Sequence, residues 1–189
     1  GLGDVYKRQG VIDGNGNIVI NVEYDAIQAI DGANALQAIK TDTNRTDIID
    51  SNMNIHEGIT NANISKKDNY IKLYSETEMK YYDLSGNEVT YKELFPNNQL
   101  YASQRNGRWG LVDGNGNVVV NYEYDMVTEQ NGNVAGVKKD GKWQVVNTNG
   151  ELVSDDAYTI SWLDVTFLGN YYRLNNSSAG IVYSGTVRE

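Results

Sequence analysis

The chain has 189 residues, of which 40% are hydrophobic and 10% aromatic; this is too apolar and too aromatic for a disordered segment, and long enough to bury a core. Sixteen Lys and Arg stand against 25 Asp and Glu, a net charge of −9, and no basic cluster exceeds a pair such as Lys66-Lys67, which argues against a nucleic-acid binder. The absence of cysteine removes disulfides, thiolate metal sites and thiol nucleophiles, and the longest apolar runs, such as Val118-Val119-Val120, fall far short of the roughly 18 residues of a membrane span.

Residues 1–9 (GLGDVYKRQ) lack strand alternation and look like translated adapter sequence at the end of a metagenomic gene fragment, so the array is placed at residues 10–189. From Gly10 to Asp25 the chain reads GVIDGNGNIVINVEYD, an apolar run, a turn and a second apolar run. The same segment returns at Gly110 to Asp125 as GLVDGNGNVVVNYEYD, identical at eleven of sixteen positions, with four of the five differences exchanging one aliphatic for another. An aliphatic pair closed by a polar residue marks the unit: Val11-Ile12-Asp13, Ile48-Ile49-Asp50, Leu111-Val112-Asp113 and Val145-Val146-Asn147, with degenerate versions at Tyr81-Tyr82-Asp83 and Ile181-Val182-Tyr183. These markers at 13, 50, 83, 113, 147 and 183 are spaced by 37, 33, 30, 34 and 36 residues, a mean period of 34. The two best copies are therefore units one and four of about six, the last cut off shortly after its marker.

Within a unit, Asn and Gly fall where tight hairpins need positive φ, as in Asp113-Gly114-Asn115-Gly116-Asn117, Asn131-Gly132-Asn133, Asp140-Gly141-Lys142 and Thr148-Asn149-Gly150-Glu151. Strands are expected at Trp109–Asp113, Val118–Asn121, Tyr124–Glu129 and Val134–Lys138, about four per unit. The best helical candidate, Tyr91 to Phe95, makes one turn at most before Pro96 ends it. The reading is an all-β chain of tandem β-hairpin repeats of about 34 residues in a blade-like array, either an open superhelix or part of a β-propeller, in which each sheet is covered by its neighbours.

Arg108-Trp109-Gly110-Leu111-Val112-Asp113, followed by Gly116-Asn117-Val118-Val119-Val120 and Tyr124-Asp125-Met126-Val127, resembles the bacterial WG-repeat family, also called KWG repeats. Asp140-Gly141-Lys142-Trp143-Gln144-Val145-Val146-Asn147 is similar with Gln144 in place of the family's Gly, and Gln9-Gly10 has Gln in place of Trp. The resemblance spans about residues 7–189 and weakens at the units marked by Asp50, Asp83 and Tyr183, where departures such as Arg45-Thr46-Asp47 read as surface drift. It implies repeat β structure, a binding or scaffold role in bacterial envelope or secreted contexts, and no catalytic residue or cofactor.

Asp13, Asn15 and Asn17 imitate the first positions of a calcium loop, but Ile18 and Tyr24 stand where that loop needs Gly and a bidentate Glu, so DGNGN reads as a hairpin turn and no metal site is assigned. The one histidine, His56, reads as a solvated loop residue, and Glu76 with Glu78 and Asp155 with Asp156 as solvated faces. No nucleophile elbow, P-loop or zinc motif occurs, so no catalytic or cofactor-binding residue is assigned. Trp109 and Trp143 recur at one phase of the unit and Tyr24, Tyr91, Tyr124 and Tyr158 near its other end, as an inter-unit core requires; Trp162, Tyr171 and Tyr172 are the candidates for an exposed stacking surface. The expected function is a non-enzymatic module that presents an extended surface for protein or glycan binding, in a larger bacterial surface or exported protein, without nucleic acid or membrane insertion. The alternatives are a propeller-type glycoside hydrolase or lyase using a carboxylate pair, and a structural spacer.

Overall fold

The computed structural model describes residues 7–153 and, as backbone only, three further strands at Asp164–Leu168, Tyr171–Asn175 and Val182–Thr186. The chain divides into two compact halves, Gly1–Thr90 and Tyr91–Glu189.

The first half holds three antiparallel sheets in chain order. A hairpin of β1 (Gln9–Ile12) and β2 (Ile18–Tyr24) is followed by β3 (Ala26–Ala29), β4 (Leu36–Lys40), β5 (Arg45–Ile49) and β6 (Ile55–Thr60), and then by β7 (Asn63–Lys66), β8 (Ile71–Tyr74), β9 (Met79–Tyr82) and β10 (Glu88–Val89). Both four-stranded sheets are simple up-and-down meanders. The second half opens with α1 (Tyr91–Leu94), the single helical turn expected before Pro96. It continues with a sheet of β11 (Tyr101–Arg105), β12 (Arg108–Val112) and β13 (Val118–Tyr124), and another of β14 (Met126–Val127), β15 (Val134–Lys139) and β16 (Lys142–Asn147). The last sheet is β17 (Asp164–Leu168), β18 (Tyr171–Asn175) and β19 (Val182–Thr186).

The polar marker of each described unit closes one strand of its sheet: Asp13 follows β1, Asp50 follows β5, Asp83 follows β9, Asp113 follows β12 and Asn147 ends β16; β5, β9 and β16 are third in chain order in their sheets, whereas β12 is second of three and β1 first of two. The sixth marker, Tyr183, lies in β19, the last strand of its sheet. The expected strand Tyr124–Glu129 instead straddles a seam, because β13 ends at Tyr124, Asp125 breaks the ladder, and β14 begins the next sheet. An apolar run crossing two sheets has the same composition as one strand.

The aliphatic pair before each marker follows from burial on both faces. Ile48 and Ile49 are neighbours on β5 and point to opposite sides of it, yet both are fully buried. Ile49 joins Ile20 and Tyr24 of β2 and Ala38 of β4. Ile48 joins Ile59 of β6, Ile71 and Leu73 of β8 and Tyr82 of β9. A third strand sandwiched between two cores loses the polar alternation of a one-sided sheet. Val145 and Val146 of β16 are buried in the same way in the second half.

The glycine of the Trp-Gly dipeptide marks a close backbone approach. Gly110 faces a bulge, since Trp109 pairs with Tyr124 and Leu111 with Val120, and a Cβ on Gly110 would lie 2.5 Å from the Val120 carbonyl oxygen. Gly10 repeats the arrangement against β2, 2.5 Å from the Ile20 oxygen.

Candidate functional site

The five described markers build one turn, repeated. The Asp113 carboxylate accepts the N–H groups of Asn115 (2.8 Å) and Asn117 (2.9 Å) on Oδ1 and the Asn117 amide on Oδ2 (2.8 Å). The backbone closes through Asp113 N–H to the Asn117 oxygen and Gly116 N–H to the Asp113 oxygen. Asp13, Asp50 and Asp83 make the same set of contacts with Asn15 and Asn17, Asn52 and Asn54, and Ser85 and Asn87. At Asn147 the polarity of the last bond reverses, and its amide donates to the Glu151 carboxylate. The residue three after the marker has positive φ throughout: Gly16, Gly86, Gly116 and Gly150, with Met53 in the second unit at 67°. These N–H donors hold the Asp13 and Asp113 carboxyls below their ordinary range, the side-chain amides of Asn17 and Asn117 contributing most. Donors converge on these carboxylates where a calcium loop would need oxygen ligands, so DGNGN is the hairpin turn that the sequence implied. Among the described residues no group of three or more His, Asp or Glu side chains is placed to hold a metal ion.

The second unit adds a buried polar node. Asp47 of β5 is fully buried; its Oδ1 accepts Gly58 N–H (2.9 Å), and its Oδ2 accepts the Tyr24 hydroxyl (3.1 Å) and Arg45 Nη2 (3.0 Å). Arg45 Nε lies 2.9 Å from Oδ1 with its N–H aimed elsewhere, so Nη2 carries the directional contact, while Nη1 reaches Glu57 at 2.5 Å. Burial, and then the negative charge of Asp47, push the Tyr24 phenol well above its ordinary value, so it stays protonated and donates. Asp47 occupies the position of Gly110 relative to the marker, and the glycine has moved to the facing strand: a Cβ on Gly58 would lie 1.6 Å from the Thr46 oxygen. Arg45-Thr46-Asp47 is thus a rewired crossing and not surface drift. The sequence signal was Gly58, a glycine inside a strand run opposite the missing one.

His56 lies in β6 and not in a loop. Its Nε2 is 3.1 Å from Asp50 Oδ2, and its ring meets Tyr82 edge to face with centroids 6.1 Å apart. Burial alone would raise the Asp50 carboxyl, but bonds from the Asn54 side chain and N–H, from His56 and from Asn52 outweigh it and hold it at about 2. The pair tightens a turn. Glu76 and Glu78 are exposed in the β8–β9 connection, whereas Asp155 and Asp156 lie outside the described residues.

Trp109, Trp143 and Tyr24 are buried, whereas Tyr91 and Tyr124 of the same recurring set are only half-buried. Trp162 and Tyr158 lie outside the described residues; Tyr171 and Tyr172 are adjacent in β18, pairing with Leu168 and Phe167 of β17, and only their backbone is described.

Exposed large hydrophobic side chains fall in a pattern that the sequence reading missed. Among the described residues they are Ile12, Ile18, Val19, Val22, Ile55, Val118 and Leu152, and all but Ile12 lie on the edge strand that follows a marker turn, β2, β6 or β13, or at the Val146–Leu152 bridge that stands in for one. Ile18 (63% exposed), Ile55 (44%), Val118 (45%) and Leu152 (46%) each stand five residues after their marker, and the third unit has Glu88 there. The signal in the sequence is the fixed spacing of five residues from each marker.

Residues 10–33 and 109–143 match the family model described as WG containing repeat. No curated protein matches the chain. Similar solved structures include BamB from Moraxella catarrhalis (13% identity, 96% of this chain and 67% of that one, TM-score 0.40). Others are Hsv2p from Kluyveromyces lactis (12%, 98% and 70%, TM-score 0.43) and virginiamycin B lyase from Staphylococcus aureus (14%, 97% and 78%, TM-score 0.32).

Proposed function

We propose that this chain of WG repeats is a non-enzymatic module that presents an extended surface for protein or glycan contacts, as part of a larger bacterial surface or exported protein. The observation that carries the reading is the exposed aliphatic at one phase of four units, Ile18, Ile55, Val118 and Leu152. A hydrophobe left in water once is ordinary, but recurrence at one register position makes a patterned surface. The carboxylates support the same reading, because Asp13, Asp83 and Asp113 and the buried Asp47 and Asp50 are each engaged by donors that shape the backbone. Charge held in that way maintains structure and is not poised for proton transfer.

The test is capture on glycan and protein arrays by the intact chain and by a variant with Ile18, Ile55, Val118 and Leu152 all changed to Ser. The expected outcome is capture by the parent and its loss in the variant at unchanged circular dichroism. Hydrolysis of a polysaccharide that vanishes in a single Glu→Gln variant would overturn the reading in favour of an enzyme, and capture of nothing would leave a spacer.

A further inference from the structure

We propose that the outer strands dock an extended polypeptide segment in which aliphatic side chains alternate with lysine or arginine. The inference rests on the reading of the chain as a binding module and names its partner's chemistry.

Three observations converge on these strands. The first is the phased aliphatic residue, which opens β2 (Ile18), β6 (Ile55) and β13 (Val118), and recurs as Leu152 at the single bridge of the fifth unit. The second is charge. No lysine or arginine occurs in β2 (IVINVEY), β6 (IHEGIT), β10 (EV) or β13 (VVVNYEY), while each carries one glutamate: Glu23, Glu57, Glu88 and Glu123. Those side chains are 45, 74, 46 and 47% exposed, and each is paired with a cation from another strand, Lys40, Arg45, Lys80 and Lys139 respectively. Pairs this exposed contribute little and exchange partners readily, so an incoming cation competes for the carboxylate at small cost. Each of these strands thus carries an exposed carboxylate and no basic residue of its own, in a chain of net charge −9, which is complementary to a basic segment.

The third observation is the backbone. Among the described residues β2, β6, β10 and β13 each pair with a strand on one side alone, although the Glu23 and Glu57 carbonyls already accept bonds from the Arg8 and Lys80 side chains. Extended peptides add to such edges, the main chain supplying affinity and alternate side chains specificity. Register shifts opposite Gly10 and Gly110, again between Ile18 and Ile20 and between Val118 and Val120, and at Glu57-Gly58 interrupt the ladders. A bulge also protects an edge from self-association, so each unit offers a short anchor and firm binding needs neighbouring units of one half on the same ligand.

The experiment measures binding of three fluorescent dodecapeptides, alternating Lys-Val, Glu-Val and Lys-Ser, to the intact chain at low and high salt. The expected result is binding of Lys-Val alone, weakened by salt, with affinity lowered at least tenfold in the variant carrying Ser at 18, 55, 118 and 152. Equal binding of Glu-Val would overturn the cationic requirement, equal binding of Lys-Ser the aliphatic one, and Lys-Val binding that survives the serine variant would overturn the site. Failure of all three peptides, with array capture still lost in the serine variant, would reject this partner and leave the binding-module reading standing.

Discussion

Replacement of Asp47 by Ala tests the buried node most directly. Asp47 is fully buried and is the acceptor for Gly58 N–H at 2.9 Å, the Tyr24 hydroxyl at 3.1 Å and Arg45 Nη2 at 3.0 Å. Truncation leaves two neutral donors without an acceptor, each worth about 1–3 kcal/mol when orphaned in the interior. Arg45 loses less, because its side chain is 26% exposed and keeps Glu57. The expected loss is about 3 kcal/mol, a large share of the roughly 5–15 kcal/mol that holds a typical domain. Urea unfolding followed by far-ultraviolet circular dichroism reads it as a midpoint shift on the order of 1–3 M at an m-value of about 1–3 kcal/mol/M. Asp47→Asn keeps an acceptor for Gly58 and should fall between Asp47→Ala and the parent. Adding Tyr24→Phe should cost about 1 kcal/mol in the parent but be neutral or stabilising by up to about 1 kcal/mol in the Asp47→Ala background, since the hydroxyl there is already orphaned. A midpoint shift below about 0.3 M for Asp47→Ala would refute the argument, because the donors would then have found water or other partners.

Gly58→Ala places a methyl 1.6 Å from the Thr46 oxygen and should abolish the cooperative transition of the first half, whereas Gly110→Ala, at 2.5 Å from the Val120 oxygen, should cost about 1–3 kcal/mol; urea titration separates the two. Tyr82→Phe should be neutral or stabilising by up to about 1 kcal/mol in thermal melts, since the Tyr82 hydroxyl is buried with no hydrogen-bond partner, in contrast to Tyr24. The Asp50 carboxyl titrates at about 2 when folded and near its ordinary value of about 3.9 when unfolded, so its contribution is complete above pH ~4 and is lost as pH falls toward 2. Melting temperature against pH should show that loss in the parent and a shallower one in Asp50→Asn; identical profiles would place the acid sensitivity elsewhere.

The turns and third strands were readable because each depends on a few adjacent residues. Asp-x-x-Gly-Asn spells its own hydrogen bonds, and two neighbouring aliphatics imply a strand with a core on either side. Even the degenerate Asp50-Ser51-Asn52-Met53-Asn54 makes the turn, with Met53 accepting the left-handed backbone that Gly takes in the other units. What could not be read depends on pairing between strands. Arg45-Thr46-Asp47 read as surface drift because the compensating Gly58 lies eleven residues from Asp47 on the facing strand, and only the ladder register brings them together. The exposed aliphatics escaped notice because an apolar residue in a strand run carries no mark of which side it faces; Ile18 and Ile20 share a parity in β2, yet one is exposed and the other buried.

The exchange of glycine between facing strands makes positions 47 and 58 an epistatic pair. Restoring glycine at 47 alone strands the Gly58 amide, and adding a side chain at 58 alone collides with the Thr46 carbonyl. A repeat that has taken this route cannot return by single steps. The family model matches residues 10–33 and resumes at 109, passing over the unit that contains the exchange and the third unit alike. Divergence between copies of such a repeat therefore counts rewired contacts as well as lost ones, and a position-by-position profile reads both as decay.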